Sequence, residues 1–187
     1  MDRFGYAKTV DVSTYERNKE AADNENKYIL HCMNTGKICI FTKDGKMHQV
    51  KVMDIPYGKF RDKGQPIDNI SNYDSTQEEI VYICDSEQMR YAKLLFATKQ
   101  GMIKKVEGTE FQVTKRTITA TKLQPEDEVV KIQVVTENQY YDKTKEVDVF
   151  VDSFGDSSIK MGVRCMVATE NYWKAKWEIQ EAIKICI

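Results

Sequence analysis

The feature that most constrains this chain is a motif that occurs twice. Thr42-Lys43-Asp44-Gly45 is followed by Val50, and Thr98-Lys99-Gln100-Gly101 by Val106, so both read T-K-x-G-x-x-x-x-V. An apolar run precedes each, Ile38 to Phe41 and Leu94 to Ala97. A degenerate third copy opens the chain, with Gly5 and Val10 around Tyr6-Ala7-Lys8-Thr9. Strand, glycine turn and strand recurring at a period of about 40–60 residues read as blades of a propeller-like array. The alternative is two ordinary hairpins with a common turn, and the shared Thr, Lys, Gly and Val at identical spacing count against it. A blade cannot bury both faces alone. Two blades and a fragment leave open edges, and the sequence from Met1 reads as mid-blade. The expectation is therefore a piece of a larger array, with edges that favour self-association.

Period-2 alternation predicts strands at Lys37 to Thr42, Met47 to Val52, Ile80 to Cys84, Leu94 to Thr98, Met102 to Val106 and Val129 to Val135. Gly45 and Gly101 mark hairpin turns. Tyr15 to Asn26 is polar and reads as a loop or a short exposed helix. After Val135 the pattern breaks. A polar, acidic linker is expected over 136–146, then strands at Val147 to Val151 and Ile159 to Val167, with a turn over Asp152 to Ser158 between them. Glu170 to Ile187 reads as an amphipathic helix with Thr169 as its N-cap. Its apolar face carries Trp173, Trp177, Ile179 or Gln180, Ile183 and Ile187. That face either packs on its own strands, which is favoured, or lies on a membrane surface.

The net charge is −1, but its distribution is uneven. Lys37 to Lys63 holds seven basic and three acidic residues, and Lys93 to Lys122 seven and two. Asp68 to Arg90 holds one basic and six acidic, and Leu123 to Ser158 three and nine. Such blocks build a basic face on a neutral protein, or are solvated loops of mixed sign. The five cysteines form no CxxC pair, and with only His31 and His48 no zinc pattern assembles. No apolar stretch nears the ~18 residues that span a bilayer, and the start lacks the apolar run of a signal peptide. A cytoplasmic chain is expected, with reduced thiols that act as small buried hydrophobes. No catalytic constellation, metal site or cofactor is expected.

Asp2-Arg3-Phe4-Gly5-Tyr6-Ala7-Lys8-Thr9-Val10-Asp11 resembles a repeat from the C-terminal domain of DNA gyrase and topoisomerase IV A subunits. So do Ile40 to Gly45, with Asp54-Ile55-Pro56-Tyr57-Gly58-Lys59-Phe60-Arg61-Asp62-Lys63-Gly64 downstream, and Leu94 to Lys105. The resemblance covers residues 1–135. It implies a mainly β fold: a partial β-pinwheel of about two blades plus a fragment over 1–135, followed by a small β-β-α segment at 147–187. It implies a basic rim that bends double-stranded DNA without reading its sequence. The partners it implies are DNA, the remainder of a topoisomerase A subunit, and the ATPase B subunit of the same enzyme. The family's catalytic tyrosine lies in a different domain, so this chain alone is not expected to cut DNA. The gyrase Gln-Arg-Arg-Gly-Gly-Lys-Gly-type box is missing, its nearest counterpart being Lys59 to Gly64, so strong chiral wrapping is not implied.

On that reading Lys43, Lys46, Lys59, Arg61 and Lys63 in the first unit, and Lys99, Lys104, Lys105, Lys115 and Arg116 in the second, are the candidate phosphate contacts. Each could equally be a solvated turn residue. Gly58 and Gly64 would let a phosphate approach the backbone, or would serve turn geometry only. Phe41, Phe96, Val50 and Val106 are expected in the blade core. Val151 to Ser158 with Ala168 to Trp173 resembles a second family, the cytosolic C-terminal domain of small-conductance mechanosensitive channels. The pore helices of that family are missing. A protein-assembly fragment built on this tail, or the remnant of a fused or truncated gene, is the alternative to a DNA-binding module.

Overall fold

In the computed structural model, residues 1–136, 148–154, 159–164 and 166–176 are described. They fall in two compact units, Met1–Val135 and Thr136–Ile187. The first opens with β1 (Tyr6–Ala7), α1 (Val12–Arg17) and α2 (Lys19–Glu25). Next come β2 (Lys37–Thr42), β3 (Lys46–Lys51), β4 (Gln65–Pro66), α3 (Ile67–Ile70), β5 (Ile80–Asp85) and α4 (Ser86–Arg90). The second repeat supplies β6 (Ala92–Thr98), β7 (Ile103–Glu107), β8 (Thr117–Thr119) and β9 (Val129–Thr136). The second unit contains β10 (Asp148–Phe154) and β11 (Ile159–Arg164).

The strand order shows how the repeats interlock. The first blade is β5-β2-β3-β8 and the second β7-β6-β9, while β1 and β4 form a separate ribbon. Each hairpin, β2/β3 and β6/β7, is extended beside its first strand by a strand from its own repeat. The outer edge of β3 is covered instead by β8, which follows the next hairpin: Lys46 pairs with Thr119, Met47 with Ile118 and His48 with Thr117. The β1–β4 pair repeats the arrangement one unit earlier, with Tyr6 opposite Pro66 and Ala7 opposite Gln65. The carbonyl of Gly45 accepts from the Ala120 and Thr121 amides, and that of Gly5 from Ile67. Among the described residues β7 has only β6 as a sheet neighbour, so its outer edge is unpaired.

Two clusters of apolar side chains sandwich the first blade. From β2, Cys39 and Phe41 face one cluster, and Ile38 and Ile40 face the other. The alternate residues of a strand emerge on opposite faces, so a strand buried on both faces must be apolar at every position, as Ile38 to Phe41 is. Between the blades, Phe41 meets Phe96 at 5.8 Å and Phe111 at 5.4 Å between ring centroids, both edge to face. Leu94, Met89, Val106 and Val129 complete that layer. The four residues expected in the core, Phe41, Phe96, Val50 and Val106, are buried. Burial pushes the Cys39 thiol up to about 12 and raises that of Cys84 as well, so both are inert apolar fillers.

Tyr15 to Asn26, read as a loop or a short exposed helix, is helical over most of its length, as α1 and α2. Two other expectations need correction. The turn expected to begin at Asp152 does not: β10 runs on to Phe154, with a register shift between Val151 and Ser153 where it pairs with β11. Thr169 is the first residue of a 3-10 turn (Thr169–Asn171) whose N-cap is Ala168. The turn residues 155–158, most of the linker, and Trp177, Ile179, Gln180, Ile183 and Ile187 of the expected helix lie outside the described residues. No helix among the described residues is long and apolar enough to cross a membrane.

The hairpin glycines yield a test. Gly45 and Gly101 have φ of +77° and +83°, a region that costs an L residue roughly 1–2 kcal/mol. A Cβ at Gly45 would also stand 2.6 Å from the Thr121 carbonyl oxygen, whereas at Gly101 nothing lies within 4 Å. Gly101→Ala is expected to cost about 1 kcal/mol and Gly45→Ala about 2–4 kcal/mol, read as a larger fall in urea midpoint. Equal costs would mean that the segment after β8, at Thr121, does not pack on the first hairpin turn.

Candidate nucleic-acid interface

The ten candidate residues divide by their partners. Lys43 lies 2.7 Å from Glu79, and this carboxylate holds its ammonium above the ordinary lysine range. Lys46 reaches Asp44 at 2.6 Å and Glu78 at 2.7 Å, which raises it further. Lys99 lies 3.2 Å from Glu128. These three lysines of the repeated turn are therefore bound to carboxylates of the acidic blocks. Their first role is to fasten the turns to the following strands.

The remaining seven are exposed. Among the described residues no carboxylate lies within ion-pair distance of Lys59, Arg61, Lys63, Lys104, Lys105, Lys115 or Arg116. The Lys63 ammonium sits 4.1 Å from the centroid of the Tyr6 ring, a cation–π contact that leaves its charge unneutralised. Lys59 and Arg61 project from a turn closed by two bonds, Lys59 N to Asp62 Oδ2 at 2.7 Å and Asp62 N to Lys59 O at 3.0 Å. The Lys8 ammonium donates to the Phe60 and Asp62 carbonyls and ties this turn to the start of the chain.

The two basic loops occupy the same place in their repeats. Lys59, Arg61 and Lys63 come just before β4, and Lys115 and Arg116 just before β8. Each set therefore stands where the chain passes over to the preceding unit. Gln49 N donates to the Arg116 carbonyl at 2.7 Å, which brings Lys115 and Arg116 up to the strand that ends at Lys51. Lys51 and Lys122 are exposed and, among the described residues, also lack an ion-pair partner. They lie inside the two basic blocks, but the repeated motif does not reach them. Lys104 and Lys105 lie on β7, beside its unpaired edge. Gly58 and Gly64 serve local packing: a Cβ at Gly64 would meet the Ala7 carbonyl oxygen at 2.3 Å, and one at Gly58 the Asp62 carboxylate at 2.8 Å.

Beneath the first turn lies a buried polar group that sequence reading did not find. His48, 2% exposed, has its Nδ1 3.0 Å from the Thr117 hydroxyl of β8. Its Nε2 stands 3.0 Å from Glu78 Oε2, close enough for an ion-pair contact but not aligned for a hydrogen bond. Glu78 also accepts from the Asp74 amide and from Lys46. One carboxylate thus anchors the turn, the loop before β5 and the histidine that touches β8. No cluster of His, Cys, Asp or Glu suited to a metal ion occurs among the described residues.

Glu78→Ala, which strips a 7%-exposed carboxylate from three neighbours, is expected to lower stability by about 2–4 kcal/mol. Glu79→Ala, at an exposed pair, should cost under about 1 kcal/mol, and denaturant titration distinguishes the two. Asp44 is partly buried, which disfavours its charge, but the bonds from Lys46 and Thr42 outweigh this and hold it below the ordinary value of 3.8. Its stabilising effect is therefore full above that value and is lost as pH falls through the lower, folded one. Asp44→Asn should make the fall in urea midpoint below about pH 4 shallower.

Comparison with known proteins agrees with this architecture. Residues 92–136 match the family model described as DNA gyrase C-terminal domain, beta-propeller. Residues 122–187 match that of the mechanosensitive ion channel MscS, C-terminal, so the two matches overlap at 122–136. The gyrase A protein of Lawsonia intracellularis is 26% identical over 151 residues, 75% of this chain and 18% of that protein. The topoisomerase 4 A protein of Bacillus subtilis is 31% identical over 105 residues, 54% of this chain and 13% of that protein. The chain thus spans less than a fifth of these relatives. The crystal structure of the C-terminal domain of DNA topoisomerase IV superposes with a TM-score of 0.60 at 24% identity, over 70% of this chain and 43% of that one. The chain is thus similar to the C-terminal β-pinwheel repeats of gyrase and topoisomerase IV A subunits, and over residues 122–187 to the C-terminal domain of MscS channels.

Proposed function

We propose that residues 1–135 bind and bend double-stranded DNA without sequence preference, as the C-terminal module of a type IIA topoisomerase A subunit. The observation that carries this reading is the pair of basic loops at equivalent positions, Lys59, Arg61 and Lys63 before β4 and Lys115 and Arg116 before β8, with no carboxylate partner among the described residues. Lysines and arginines repeated along a rigid edge neutralise successive phosphates, and the counterions released make affinity fall with salt. Lys104 and Lys105 extend this surface. Lys43, Lys46 and Lys99 are neutralised by their carboxylate partners, so direct phosphate contact by them is secondary. The working context is the cytoplasm, and the partners are the remainder of the topoisomerase A subunit and the ATPase B subunit. The unpaired β7 edge would also allow self-association.

The test is duplex binding by fluorescence anisotropy across salt. With four to seven phosphate contacts, log affinity should fall against log salt with a slope of about −4 to −6. No binding at 50 mM salt, or a slope near zero, would falsify the proposal. The triple variant Lys59→Ala, Arg61→Ala, Lys63→Ala should weaken binding uniformly across sequences and reduce the slope by about 2–3.

The match of residues 122–187 to the MscS C-terminal domain favours a second role for the tail, in protein assembly. Deleting residues 137–187 should leave the DNA affinity of the pinwheel repeats within about twofold while altering the sedimentation behaviour of the chain.

A further inference from the structure

The first unit contains a cavity of about 460 Å³, one wall of which is Phe60 of the first basic loop. This lies within the roughly 300–1,000 Å³ typical of small-molecule sites. Its walls are mainly apolar, with Ile38, Ile67 and Ile83 from the blade side and Leu30, Tyr28 and Phe60 from the loops. One acid lies among them. Asp85 ends β5 opposite Ile38 and, two residues after Ile83, stands on the cavity face of that strand.

Asp85 is 6% exposed, and its Oδ1 is fully buried without a hydrogen-bond partner. Among the described residues no Lys, Arg or His nitrogen lies within ion-pair distance of it. It occupies the N-cap position of α4 yet makes no side-chain bond to that helix. Gly36 stands close by: a Cβ added there would come 3.6 Å from Oδ1. The lysine lining the cavity, Lys8, is committed to the Phe60 and Asp62 carbonyls, with its ammonium over the Phe60 ring.

A buried carboxylate in apolar surroundings needs a counter-charge or a donor. An apolar cavity of this size has room for a molecule with an apolar body. We propose that it binds a small organic cation, an amidinium or primary ammonium on a ring-sized apolar body, with Asp85 as the counter-charge.

The experiment uses the full chain and three probes of one shape: benzamidine, neutral benzamide and anionic benzoate, followed by calorimetry and chemical-shift titration. Benzamidine should bind at least about tenfold more tightly than benzamide, and benzoate not at all. Asp85→Asn should abolish that preference, and Leu30→Trp, which fills the cavity from a loop, should remove binding of every probe. Should Asp85→Asn fail to fold, Leu30→Trp carries the test. The proposal is overturned if benzamidine does not bind to about 10 mM, if benzamide binds equally well, or if either variant leaves benzamidine affinity unchanged.

Discussion

The structure depends on the strand exchange between repeats. Without Thr117–Thr119 the first hairpin would present β3 as a bare edge, with its amides and carbonyls unpaired. Edges of that kind are what sheet proteins must cover. Here the next repeat supplies the cover, and the aromatic layer of Phe41, Phe96 and Phe111 fills the space between the two blades. Backbone pairing thus sets the register between repeats, and burial of the rings sets their separation.

The same exchange arranges the charge. A chain segment that passes from one unit to the edge of another must travel along the outside of both. Its residues before the pairing point are therefore solvent-facing, and that is where Lys59, Arg61, Lys63, Lys115 and Arg116 stand. The turn lysines sit where the acidic strands return, so Lys43, Lys46 and Lys99 are met by Glu79, Glu78 and Glu128. The alternation of basic and acidic blocks along the sequence thus resolves into two kinds of lysine, one that fastens the fold and one that faces outward.

Both hairpins were legible in the sequence, because alternation, an apolar run and a turn glycine all lie within a dozen residues. The crossing strands were not. Gln65–Pro66 and Thr117–Thr119 are too short to show a period, and their partners lie in another repeat. Ser86–Arg90 is likewise barely one helical turn. For the candidate site, the basic blocks and the Lys59 to Lys63 cluster could be read directly. Composition alone could not tell Lys46 from Lys59, since the difference is Glu78, brought close by the β2–β5 pairing. Nothing in the sequence marked Glu78 or His48 as buried, because both are polar residues in ordinary polar surroundings of the chain.

Strand exchange also gives the array a direction in time. A ribosome makes β3 before the whole of the next hairpin, and only afterwards the three residues that close its edge. At about 5–20 residues per second the first blade waits some seconds for its last strand. Each repeat is thus finished by its successor, and maturation trails synthesis by one unit along the chain. The newest repeat is the one whose edge is still open, as that of β7 is among the described residues.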